Sequence, residues 1–412
     1  MRMMPSLGRA SAVLAPMLAR AGCRALRPGS SFGYSSKHLQ LNNHFYKFEA
    51  LGSRPSPARH FCTAQTAVGD SSPAPEECPI VTEVPQPERL LVIGDVHGDI
   101  GAFRSCLRMS GLVDKRDDWC GGDAVLVQMG DIFDRGDHDL EAEQWLHALG
   151  EQAQSAGGAV HCVLGNHEVL NCLGDHSMAT RGAFDPFEGV RPEIDERMGG
   201  DWEERLGKYP AWARPRLAAM LPGGPVARLM AKHAACIKVG DSLFVHAGLL
   251  PKHLAGAGAA AGGDANAIAG DAVGEMRAIN FRVWSWLMGQ AGLPQDLSKS
   301  DSLIWTRAYS SPDGREIRPE AREDLERVLW ATGTARMVVG HTPQRMGINS
   351  AADGRVWRVD TGMTAMIGGR PEVLEIMGDS ISVLTEYKPI PASERACSAA
   401  RPPLRLEVEE AQ

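Results

Sequence analysis

From Arg89 onward, short apolar runs alternate with stretches of helical spacing. Leu90-Leu91-Val92-Ile93 is apolar without interruption and stops at Gly94, which predicts a strand buried on both faces. Ile100 to Met109 carries apolar residues at helical spacing. Ala124-Val125-Leu126-Val127 predicts a second strand, Leu140 to Ala153 a second helix, and Val160 to Leu164 a third strand. This alternation predicts an α/β core. Residues 174–235 lose the rhythm, and their Pro, Trp, Arg and Met content predicts a mostly helical, irregular insertion. Leu243-Phe244-Val245 resumes the strand pattern, and Met337-Val338-Val339, Val356 to Val359 and Val373 to Ile376 continue it. Residues 255–274 are low-complexity Ala and Gly and read as a flexible loop. The organisation is then a leader (1–48), a Pro- and Ser-rich linker (49–88), a folded domain (89–388) and a tail (389–412).

The turns at the strand ends carry the chemistry. After Ile93 comes Gly94-Asp95-Val96-His97-Gly98-Asp99; soon after Val127 comes Gly130-Asp131-Ile132-Phe133-Asp134-Arg135-Gly136-Asp137. Leu164 is followed by Gly165-Asn166-His167-Glu168, Val245 by His246-Ala247-Gly248, and Val339 by Gly340-His341-Thr342. In an open α/β sheet, sites sit at the carboxyl ends of strands, so five such ends are expected on one edge. Carboxylates, an amide and imidazoles, without thiolates, suit divalent Mn, Fe, Zn or Co. Glycines beside them let the backbone turn sharply and approach an ion or anion.

Composition narrows the picture. The chain has 412 residues, of which 43% are hydrophobic and 23% charged, which excludes wholesale disorder. No run approaches the ~18 uninterrupted apolar residues of a membrane span. The net charge is −8, which argues against a general nucleic-acid binder. Residues 1–48 carry +7 with no Asp or Glu, so the rest carries −15, the difference between the two. An Arg-rich, Ser-bearing, acid-free N-terminus reads as an organellar transit peptide, mitochondrial or chloroplast, with a secretory signal the weaker reading. The nine cysteines are irregularly spaced with no CxxC pair, and read as buried thiols.

GDVHGD, GDIFDRGD, GNHE, HAG and GHT, in that order, resemble the calcineurin-like metallophosphoesterases of the phosphoprotein phosphatase family. The finer text, SGLVD, VLVQMGD, GNHEVLN, LFVHAGL, GHTP and PEVLEI, resembles the bacterial-type, Shewanella-like phosphatases of plants and algae. The resemblance spans about residues 89 to 378. It implies a β-sandwich with flanking helices and a dimetal site at strand carboxyl ends. It implies that Asp95 and His97 bind one metal, Asp131 bridges both, and Asn166, His246 and His341 complete the other. Two such ions hold phosphate oxygens and make a bridging water a hydroxide nucleophile near neutral pH. The resemblance further implies His167 as general acid, Asp134 as its orienting partner, and Arg135, with Asn166, as phosphate-binding. A second phosphate-binding arginine is expected between HAG and GHT, and Arg307 is the choice. Glu168 is expected to support the site without binding metal.

The implied substrate is a phosphoprotein. Phosphotyrosine and phosphoserine/threonine are both compatible, and regulatory subunits stay unknown: no segment resembles the SAPNY motif of eukaryotic serine/threonine phosphatases, which puts the subunits of those relatives in doubt here. No cysteine is followed by Arg at the sixth position, so the Cys-x5-Arg loop of cysteine-dependent phosphatases is absent. Asn171 interrupts what would be HExxH, which excludes a zincin protease. Two other readings use the same residues: a symmetrical dinucleoside polyphosphate hydrolase, and an inactive metal-bound docking module. The second conflicts with the presence of every implied ligand and of His167. The insertion is expected to cover part of the substrate groove.

Overall fold

The computed structural model describes residues 79–256, 268–386 and 390–391. The leader, most of the linker, the middle of the Ala/Gly stretch and most of the tail lie outside the described residues. Among the described residues twelve strands form two sheets of six. In chain order they are β1 (Glu83–Val84), β2 (Leu90–Ile93), β3 (Val125–Gln128), β4 (Ala159–Cys162), β5 (Cys236–Val239) and β6 (Ser242–Val245). The later six are β7 (Arg336–Val339), β8 (Asn349–Ala351), β9 (Val356–Arg358), β10 (Val373–Met377), β11 (Ser380–Leu384) and β12 (Ile390–Pro391).

The first sheet runs β12-β11-β10-β2-β3-β4 and the second β1-β5-β6-β7-β9-β8. In the first, β2, β3 and β4 are parallel, connected by helices α1 (Ile100–Met109) and α2 (Asp139–Ser155). In the second, β6, β7 and β9 are parallel. Alternate side chains divide the core. Leu90, Val92, Val125 and Val127 meet Phe244, Val338 and Trp357 between the sheets. Leu91, Ile93, Leu126, Leu243, Val245, Met337 and Val339 face outward and are covered by helices, including Phe103 and Leu107 of α1 and Leu146 and Leu149 of α2. The result is a sandwich flanked by helices, and each of these strands is buried on both faces. Burial of each such side chain contributes about 1.5–3 kcal/mol.

This division corrects the expectation of a single edge. The turns after β2, β3 and β4 belong to one sheet, those after β6 and β7 to the other. Runs apolar on both faces show no period that would assign them to a sheet. The two sets of strand ends are held together beyond β4, where Val163 bridges Ala234. Leu164 N donates to Ala234 O at 2.9 Å and Ala234 N to Cys162 O at 2.8 Å.

Other differences are local. β1 lies inside the stretch read as linker and pairs with β5, and β12 lies past residue 388 and pairs with β11. The folded body therefore extends beyond 89–388 at both ends. The stretch 255–274 is partly helix, since a helix Ala272–Leu287 starts within it, capped by Asp271. The insertion contains α4 (Arg191–Met198), α5 (Trp202–Arg205), α6 (Arg214–Met220) and α7 (Pro225–Met230), joined by 3-10 turns. Of the described cysteines, Cys106, Cys162, Cys172 and Cys236 are buried and Cys120 is exposed. No helix of the described residues is long and apolar enough to cross a membrane.

Candidate active site

Each site residue except Arg307 sits on a turn or helix start that follows a strand. Asp95 and His97 follow β2, on a turn that closes when Asp99 caps α1, accepting from Ala102 N at 2.9 Å. Such a cap contributes about 1 kcal/mol. Gly94 is required there because the sheets approach so closely that a Cβ would overlap Val359 O. Asp131, Asp134 and Arg135 follow β3. Asn166 and His167 open α3 (Asn166–Cys172), after β4. His246 follows β6 and His341 follows β7.

These loops hold an unusual backbone. His97, Asp131, Asp134, Arg135 and His341 all have positive φ, between 50° and 70°. Such conformations are costly for residues with a Cβ and persist only where the surroundings over-determine them. Here Glu168 does much of that. Its carboxylate accepts from the backbone N–H of Asp131 (2.9 Å), Ile132 (2.8 Å), Phe133 (3.3 Å) and Gly165 (2.8 Å). In turn, Asp131 O accepts from Val96 N at 3.0 Å and His97 N at 2.9 Å, tying the first loop to the second.

The side chains converge in two overlapping groups. His97, Asp131 and His167 offer ligand atoms within 4.8 Å of one another, and so do Asp131, His246 and His341. Asp131 Oδ2 lies 3.8 Å from His97 Nε2 and 3.4 Å from His246 Nε2. Asn166 Oδ1 lies 3.0 Å from His246 Nε2 and 2.8 Å from His341 Nδ1. Asp95 accepts from His341 N at 3.3 and 3.1 Å. The outer ring nitrogens are fixed by carbonyls: His97 Nδ1 lies 3.0 Å from Phe133 O and His246 Nδ1 2.7 Å from Met129 O. Such bonds select the tautomer that leaves the other nitrogen free to coordinate.

The electrostatics suit cations. Burial, with Asp360 and Asp131 alongside, pushes the Asp95 carboxyl well up. Burial likewise raises Asp360 to about 6. Burial lowers the His97 imidazole to about 3 against the pull of Asp131, and lowers His341 well below its usual range, so both stay neutral. Crowded buried carboxylates beside neutral imidazoles form a donor set that fits divalent metal ions.

His167 is held differently. Its Nδ1 lies 2.7 Å from Asp134 Oδ2, while its Nε2 is 3.9 Å from Asp131 Oδ2 and 3.5 Å from Arg135 Nη2. Burial opposes its charge, but Asp131 and Asp134 outweigh it and raise its pKa. The Asp134 carboxylate also accepts from Asn171 Nδ2, at 3.0 Å to each oxygen. Arg135 is half-buried, and its Nε has no hydrogen-bond partner among the described residues. Arg307 is exposed at the rim, its Nη1 3.4 Å from Thr342 Oγ1 and its charge acting on His341.

Four residues escaped the sequence reading. Asp360 follows β9 and faces Asp95. Its signal was present, because Val359-Asp360-Thr361-Gly362 is another Asp and Gly at a strand end, lacking only a histidine. Arg216 of α6 is fully buried and reaches across from the insertion. It donates to Asp139 (Nη1–Oδ2 2.8 Å), Asn171 (Nη2–Oδ1 2.9 Å) and Ala183 O (3.0 Å), and lies 3.4 Å from Asp134 Oδ1. Asp139 and Asn171 complete this buried network behind Asp134; Asn171 stood within the GNHEVLN text with no role given to it, and nothing in the local sequence marks Asp139. The insertion also meets the site where Arg135 N donates to Met178 O at 3.0 Å.

Two donor groups that share Asp131, one of them including a histidine held by a second carboxylate, with an arginine beside it, form a metallophosphoesterase-type centre. Residues 88–259 match the family described as calcineurin-like phosphoesterase. Shewanella-like protein phosphatase 2 of Arabidopsis thaliana is 32% identical over 331 residues, 73% of this chain and 78% of the relative. Shewanella-like protein phosphatase 1 of Plasmodium berghei is 30% identical over 39% of each chain. Among solved structures, a cold-active protein-tyrosine phosphatase of a psychrophilic Shewanella superposes with a TM-score of 0.55 at 20% identity, covering 77% of this chain and 84% of that one, a likeness of fold. The chain belongs to the calcineurin-like phosphoesterases and, within them, to the Shewanella-like protein phosphatases.

Proposed function

We propose that this chain is a metal-dependent phosphoprotein phosphatase that hydrolyses phosphomonoesters without a covalent intermediate. The observation that carries the reading is His167, buried, paired with Asp134 at 2.7 Å through Nδ1 and with a ring nitrogen among the donor atoms gathered around Asp131. Asp95, His97 and Asp131 would hold one ion; Asp131, Asn166, His246 and His341 would hold another, of the Mn, Fe or Zn class. When bound, the ions supply charge for the phosphate oxygens and acidify a water.

The chain's own groups do the rest. Asp134 holds His167 by Nδ1, so that Nε2 presents a proton to the departing oxygen as water adds to phosphorus from the opposite side. Arg135, whose Nε has no partner among the described residues and whose Nη2 lies next to His167, grips the phosphate, and Arg307 approaches it from the rim. Glu168 keeps the Asp131 loop in its strained form. The insertion, joined to Arg135 through Met178 O, contributes the groove wall that selects the phosphopeptide.

The test is phosphate release from matched phosphotyrosine and phosphothreonine peptides by Mn²⁺-loaded protein lacking residues 1–48. Release that stops on chelation supports the reading and shows which side chain is preferred. Absence of release from both peptides overturns it. We further place the enzyme in mitochondria or plastids on the strength of the acid-free leader, to be checked by fusing residues 1–48 to a fluorescent protein.

A further inference from the structure

A third group of donors lies outside this site, beside the edge strand β4. Glu143 and His147 are one turn apart on α2 and share a face. His233 comes from the segment between α7 and β5, where the insertion returns to the sheet. His147 Nε2 lies 3.0 Å and His233 Nε2 3.1 Å from the same oxygen, Glu143 Oε1. The two imidazoles stack with centroids 5.7 Å apart and planes 17° apart. Ligand atoms of all three residues lie within 4.8 Å of one another.

The protein itself satisfies the cluster only in part. Glu143 and His233 are buried; His233 is paired with Glu143 Oε1 and faces Cys162, while Glu143 Oε2 has no hydrogen-bond partner among the described residues. Each buried polar group left in that state costs about 1–3 kcal/mol. A cation between the three side chains would remove the cost. A cleft of about 670 Å³, lined by His147, His161, Cys162, Lys232 and His233, opens onto the cluster and gives an ion and its remaining water ligands a way in.

We propose that Glu143, His147 and His233 form a further metal site, separate from the one centred on Asp131, that binds a zinc-class divalent ion through two imidazole nitrogens and one carboxylate. This donor set is one zinc accepts with an open fourth position. The ion would staple α2 to the point where the insertion rejoins the sheet, so its role is to fasten the insertion. The proposal does not depend on the phosphatase reading, since no residue is shared.

The test counts zinc bound to the purified full chain after equilibration with Zn²⁺ and removal of free metal. His147→Ala, chosen because His147 is the accessible member of the three, is expected to hold about one zinc ion fewer than the unaltered chain, with an unchanged far-UV circular dichroism spectrum. Equal zinc content in a folded variant overturns the proposal. Should the variant fail to fold, the unaltered chain answers the question. Acylation of His147 by diethyl pyrocarbonate, mapped by mass spectrometry, is expected to slow when Zn²⁺ is added. An unchanged rate means that the cluster is a hydrogen-bonded one only.

Discussion

Replacing Arg216 by Met removes a fully buried guanidinium and leaves the carboxylates it neutralises. Asp139, with a fully buried side chain, loses its 2.8 Å ion pair; Asn171 Oδ1 and Ala183 O lose donors at 2.9 and 3.0 Å; Asp134 loses a charge 3.4 Å away. Breaking a buried pair by removing one partner costs about 3–5 kcal/mol, and the two orphaned carbonyl oxygens about 1 kcal/mol each. Met fills much of the vacated volume, so about 5 kcal/mol is expected overall. Urea unfolding with a common m-value measures it. The variant Arg216→Met with Asp139→Asn is expected to regain about 1–2 kcal/mol, because the stranded charge is gone. The pH dependence has a definite sign. Burial already raises the Asp139 carboxyl with Arg216 beside it, and without Arg216 it rises further. The folded form then takes up a proton more readily than the unfolded one. The penalty is complete above the folded pKa and shrinks as pH falls through it, so the variant loses less at mildly acidic than at mildly alkaline pH. A loss under about 1 kcal/mol, or additive effects of the two substitutions, would refute the reasoning.

His167→Asn is expected to lower kcat by about 10²- to 10⁴-fold with the metal content intact, and near-normal kcat on a substrate with a poor leaving group would sink the acid assignment. Asp134→Asn removes one of the carboxylates that raise the His167 pKa. The proton donor is then lost at lower pH, and the alkaline limb of kcat is expected to move to lower pH; an unmoved limb contradicts the pairing. Asp131→Asn is expected to lose both activity and metal, and two ions retained by elemental analysis would overturn its shared position. Gly94→Ala places a methyl against Val359 O between the sheets and is expected to cost about 1–3 kcal/mol in urea unfolding. A neutral result would mean that the loops adjust freely.

The strand-helix rhythm of the catalytic core was legible because each run is apolar on both faces and ends abruptly in Gly and polar residues. The candidate donor set was legible for a chemical reason: Asp, Asn and His are the residues that suit divalent ions, and these cluster after strands in few other circumstances. The strands that escaped are of another kind. β1 and β8 are short edge strands, and β11 is a hairpin partner of β10 whose first half, with two serines, is only partly buried, so the hydrophobic pattern is weak. Cys236–Val239 was apolar enough but stood directly after the insertion, whose irregular texture hid its start.

Taken alone, the order of residues along this chain determined which side chains hold the chemistry, because donor type and strand-end position are local properties. It also determined the alternation of elements, because burial imposes a period that any short window records. Tertiary structure alone decided which sheet each strand joins, since strands buried on both faces look the same from either. It decided the positive φ of His97, Asp131, Asp134, Arg135 and His341, which comes from hydrogen bonds to distant groups such as the Glu168 carboxylate. It also made Arg216 a support of the site, 82 residues from Asp134 and 77 from Asp139. A buried charge acquires its meaning from the charges it faces, and only the folded chain brings those together.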